Sequence, residues 1–139
     1  MSNATNLVTN AVASGWHIYH RDVLAGVTQL VDVDTNGVGS TVQLGAVSSL
    51  TEDGQFITFA GPDGSLVPGD NNRAYDVFLH DTVNASNELL SQHSPLLGTS
   101  TGNLSSGFGA VSLSADGRRL VYASYASDLA TNDFNNDCD

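Results

Sequence analysis

At 139 residues, 40% of them hydrophobic and with a mean hydropathy of -0.07, the chain has the size and balance of one globular domain with a modest core. Fifteen acidic residues against four basic ones leave a net charge of -11, which excludes nucleic acid as an expected partner, because counterion release needs cations set against phosphates. The same charge disfavours anionic membrane surfaces, and no run approaches the roughly 18 apolar residues of a membrane span, so no membrane insertion is expected.

The N-terminal MSNATNLVTN has neither a basic region nor an apolar core, so no signal peptide is expected in it. Further on, the chain repeats itself. Leu7-Val8 recurs as Leu66-Val67, an offset of 59 residues, and the same offset carries Trp16 onto Tyr75, Ile18-Tyr19 onto Val77-Phe78, Asp22 onto Asp81 and Gln29-Leu30-Val31 onto Glu88-Leu89-Leu90. Asp53-Gly54 recurs as Asp116-Gly117, an offset of 63, which also maps Ile57 onto Leu120, Phe59 onto Tyr122 and Leu66 onto Leu129. The difference of four is an insertion between Ser91 and Gly107. Repeats are read first because a missed repeat miscasts the fold.

The complete unit predicts four strands, near 44–50, 55–60, 75–81 and 87–92. Asp53-Gly54 and Asp116-Gly117 are tight-turn signals between its first and second strands. Ile57 and Phe59 alternate onto one strand face, as Leu120 and Tyr122 do in the next copy. Asp76–Asp81 is apolar on both faces, with Val77 and Leu79 set against Phe78, as suits a strand covered on both sides. No window carries a 3.6-residue apolar stripe, so no helix is expected. The fold class is therefore all-β, divided into the end of one unit at 1–43, a full unit at 44–92 and the start of a third at 93–139.

A repeat of about 60 residues holding four antiparallel strands has the size of a propeller blade. SLTEDGQFITFAG and SLSADGRRLVYAS resemble the S-x-D-G-[RK]-x-[LIV]-x-[YF] signature of TolB-like, PD40-type β-propeller repeats. SLVPGDNNRAYDVFLHD and LAGVTQLVDVDTNG resemble the phrases that follow it in a bacterial branch of that family. The resemblance implies β-propeller blades in an incomplete ring, with the remaining blades of a longer parent as partners. It also implies an exported parent, periplasmic or extracellular, and a non-catalytic scaffold that binds protein or glycan. The alternative it implies is an accessory propeller in a larger enzyme such as a prolyl-oligopeptidase-like peptidase. Exposed sheet edges in such a fragment are expected to drive self-association.

Asp70, Asn72 and Asp76 offer hard oxygen atoms at alternating places in a turn, a pattern that suits Ca²⁺, and Asp133, Asn135 and Asp139 repeat the spacing. The same residues also read as Asx-turns that shape an interblade loop. The first unit has Ala11, Ala13 and His17 there, and Arg73 and Asn136 depart from the glycine of the resembled family. Asp32–Gly37 matches the first half of an EF-hand loop, but Gln43 stands where the bidentate Glu belongs, which leaves an Asn-Gly turn. Gly98–Gly102 matches G-x-S-x-G without a following helix or a later histidine, and reads as a loop. His17 and His20, three apart on a strand, point to opposite faces, while His80 is expected at an exposed strand end and His93 in a loop. No catalytic residue and no certain cofactor is expected.

Overall fold

The computed structural model describes residues 1–42, 48–62, 64–70, 72, 74–93, 101–133 and 137–139. The described chain is all-β, with no helix. A hairpin of β1 (Tyr19–Asp22) and β2 (Val27–Leu30) comes first. A four-stranded antiparallel meander follows, in the order β3 (Ser48–Leu50), β4 (Phe56–Gly61), β5 (Asp76–Asp81), β6 (Ser86–Leu89). A second hairpin, β7 (Ser106–Leu113) with β8 (Leu120–Ser124), comes last. No sheet closes on itself among the described residues.

The repeat is legible atom by atom. Before β4, the Thr51 hydroxyl donates to Asp53 Oδ1 at 2.6 Å, Gln55 N–H donates to the same oxygen at 3.0 Å, and Gly54 turns at φ +75°. Before β8, Ser114, Asp116, Arg118 and Gly117 do the same at 2.5 Å, 3.2 Å and φ +70°. A single bridge also recurs three times: Ser2 pairs with His17, Gly61 with Asp76 and Ser124 with Asp139.

Two expected boundaries move. Of the expected strand 44–50, residues 48–50 are β3, and 44–47 lie outside the described residues. The expected 87–92 is β6 at 86–89, because the ladder passes from backbone to side chain. Leu90 N–H still donates to the Val77 carbonyl at 2.8 Å, and Val77 N–H then donates to Ser91 Oγ at 3.1 Å.

β4 and β5 are interior strands, and their cross-strand pair Phe59 and Phe78 stacks at the centre of the core with ring centroids 5.5 Å apart. Both side chains are fully buried, among Ile18, Val31, Ile57, Leu66 and Leu89. β7 reaches this core through a bulge at Gly107, where a Cβ would stand 2.7 Å from that of Ala60. Both β-hairpin turns after β1 and β5 are capped by an aspartate: Asp22 Oδ1 takes Leu24 and Ala25 N–H, and Asp81 Oδ1 takes Val83 and Asn84 N–H.

The next position in each turn is left-handed, at Gly26 with φ +69° and at Ala85 with φ +50°. An L side chain in that region costs roughly 1–2 kcal/mol, which glycine avoids at some entropic cost. Ala85→Gly is therefore expected to raise unfolding stability by about 1 kcal/mol in urea titration. A loss of stability would show that the Ala85 methyl is held by packing.

Candidate functional site

The polar groups concentrate where each unit enters its third strand. In the first unit His17 and Asp32 are both buried and meet through Nδ1 and Oδ2 at 2.8 Å. The other Asp32 oxygen takes Ile18 N–H at 2.9 Å, and His17 Nε2 lies 3.0 Å from the Ala13 carbonyl. A carbonyl only accepts, so Nε2 carries a hydrogen and the second proton lies between Nδ1 and Asp32. Burial pushes the Asp32 carboxyl up, while its bonds from Ile18 and His17 pull it back down.

The 59-residue offset maps His17 onto Asp76 and Asp32 onto Ser91. Asp76, without solvent exposure, accepts from the Ser91 hydroxyl at 2.6 Å, and Ser91 Oγ takes Val77 N–H, the equivalent of Ile18 N–H. The pair thus recurs with different chemistry and one constant duty, to satisfy the backbone donor at the strand entrance. Sequence reasoning missed this pair, although the offset it rests on was visible.

Asp76 is the most perturbed acid. Burial first, and the neighbouring Asp70 charge after it, lift its carboxyl to about 6 against the bond from Ser91. Its Oδ2 is buried without a hydrogen-bond partner among the described residues. Three of the acids, Asp32, Asp70 and Asp76, are buried.

Of the expected Ca²⁺ ligands, Asp70 and Asp76 come together. Asn72 is committed to the loop: its Oδ1 takes Ala74 N–H at 2.8 Å and its amide donates to the Gly102 carbonyl at 2.6 Å. In the second set, Asp133 is half-buried, Asp139 is exposed with its backbone bridged to Ser124, and Asn135 lies outside the described residues. Ca²⁺ takes 6–8 oxygens, and the described residues hold no group of three or more His, Cys, Asp or Glu side chains that could bind a metal.

Asp32–Gly37 forms the expected turn, with Asp34 Oδ1 taking Asn36 and Val38 N–H at 2.8 Å each and Gly37 at φ +80°. Gln43 and residues 98–100 lie outside the described residues. His80, expected to be exposed, is buried because β5 is an interior strand; its Nδ1 lies 2.8 Å from Asn87 Oδ1, and burial lowers its pKa. His93 is also buried.

A cleft of about 480 Å³ opens between the first hairpin and the meander, lined by residues 6–10 and by Thr28, Gln29, Leu30, Val33, His80 and Ala85. Its walls are tied by Gln29 to the Thr82 carbonyl at 3.3 Å and by Asn87 to the Val33 carbonyl at 2.6 Å.

The described residues define an all-β protein of antiparallel sheets, one four-stranded meander and two hairpins. Comparison with family models, with curated proteins and with solved structures finds no match to it.

Proposed function

We propose that this chain is a segment of a TolB-like β-propeller that acts as a non-catalytic scaffold for a protein or glycan, in an exported parent. The observation that carries the reading is the spending of its polar side chains. His17, Asp32, Asp76 and Ser91 direct their bonds to one another and to backbone groups inside the repeat, and His80 meets Asn87 on the neighbouring strand. Such an arrangement orders blades and leaves recognition to loops, where binding residues sit on a rigid scaffold.

The binding surface in this reading is the cleft lined by Asn6, Thr9, Asn10 and Gln29 among others, which is polar without a charged wall. Glycan and peptide arrays probed with the intact chain test it. Binding that falls at least tenfold in Gln29→Ala supports the scaffold, and array signal unchanged by that substitution moves recognition elsewhere.

Ca²⁺ is the ion the loop around Asp70 and Asp76 would take if one stabilises the fold. Titration with millimolar Ca²⁺ is then expected to raise the melting midpoint by linkage, and to lose that effect in Asp76→Asn. An unchanged melt removes the ion from the proposal.

A further inference from the structure

The 59-residue offset makes β1 and β2 the equivalents of β5 and β6, and the 63-residue offset makes β7 and β8 the equivalents of β3 and β4. The meander is thus one hairpin of each kind, joined through β4 and β5. β8 and β1 are sheet edges where their equivalents are interior.

Their open backbones match. Ser124 exchanges both hydrogen bonds with Asp139, and His17 exchanges both with Ser2. By strand alternation, Leu120 and Tyr122 on β8, and Tyr19 and Arg21 on β1, turn their amides the same outward way. We propose that β8 of one copy of this chain pairs with β1 of a second copy, joining the two hairpins into another four-stranded sheet. The proposal rests on the repeat-as-blade reading above. The register of β4 on β5 then sets Tyr122 opposite Tyr19, Val121 opposite His20, Leu120 opposite Arg21 and Arg119 opposite Asp22.

Exposure and charge point to the same occupant. Val121 is 72% exposed while its equivalent Thr58 is fully buried, and Leu50 is 50% exposed while its equivalent Leu113 is 8% exposed. A cleft of about 440 Å³ lies beside β1, lined by His20, Asp22, Leu50, Glu52, Asp53 and Val83 among others. The β7–β8 turn carries Arg118 and Arg119, both exposed, in a chain with four basic residues altogether. Docking the second copy brings these two cations to that acidic cleft and opposes Arg119 to Asp22, a favourable cross-strand pair. Residues 125–139 of the first copy and 3–17 of the second are repeat equivalents, so the first copy releases Asp139 from Ser124, and the second releases His17 from Ser2, as the two strands pair. Each copy carries two blades' worth of strands, and a head-to-tail contact that closes at about four to eight blades takes two to four copies.

Native mass spectrometry and a cross-strand disulfide test this. In a Cys138→Ser background, a His20→Cys chain mixed with a Val121→Cys chain is expected to give a disulfide-linked dimer under mild oxidation, at least tenfold above either chain alone. Opposed residues of a non-hydrogen-bonded pair stand close enough for that bond. The unmodified chain is expected to show masses of two to four copies, and Val121→Lys, exposed in a single copy, a single mass with the same β-sheet circular dichroism. A single mass for the unmodified chain at all concentrations, or no cross-link above the controls, overturns the pairing. Native masses of the unmodified chain that grow with concentration beyond four copies, without a closed species, support the pairing and overturn the propeller reading instead.

Discussion

Asp76→Asn is expected to stabilise the protein at neutral pH by about 3 kcal/mol and to leave it unchanged near pH 4. The fold raises this carboxyl from 3.8 to about 6, chiefly by burial, and a shift of that size corresponds to about 3 kcal/mol. A raised acid favours its protonated form in the folded state. Its contribution is therefore fully present below about pH 4 and is lost as pH rises through 6, so that the ionised side chain is a net cost at pH 7. An asparagine keeps the carbonyl that accepts from Ser91 and carries no charge to bury. Asp53, Asp81 and Asp116 are lowered by bonds from Thr51, Asn84 and Ser114 and act in the opposite direction, losing stability as pH falls. They are common to both proteins and cancel in the difference. Urea unfolding of parent and variant between pH 4 and 8 should give a difference that grows through pH 6; a difference flat with pH would show that Asp76 is ionised in the fold without penalty.

In the equivalent pair of the first unit the acid takes the other position, and removing it has the other sign. Asp32→Ala removes the acceptor for Ile18 N–H and the partner of His17 at one stroke, and breaking a buried pair of this kind costs about 3–5 kcal/mol. Asp32→Asn is expected to cost less than about 1 kcal/mol. Its carbonyl still takes Ile18 N–H, and its amide can donate to Nδ1, since the hydrogen on Nε2 already serves Ala13. Equal losses for the two variants in urea would show that charge, and not the hydrogen-bond geometry, holds the strand entrance.

The repeat and the strands were open to sequence reasoning because both depend on local order. The Asp-Gly turns at Gly54 and Gly117 need a left-handed residue at one place, and the alternation of Ile57 and Phe59 needs only a strand. The Asx-turn at Asp34 is local in the same way, with its partners at most four residues off. His80 was misplaced for the opposite reason. It aligns with Arg21, an exposed residue of the β1 edge, but β5 lies inside its sheet, so the same repeat position is solvated in one unit and buried in the next.

By itself, then, the sequence determined an all-β chain, its period, its turns and the order of its strands, each of which follows from contacts a few residues long. Only the tertiary structure decided which acids lose their water. His17 meets Asp32 across 15 residues, Ser91 meets Asp76 across 15, and Asn72 reaches Gly102 across 30. Burial is a property of what packs over a side chain, and a strand that is interior in one unit and an edge in its neighbour gives identical local patterns with opposite solvation.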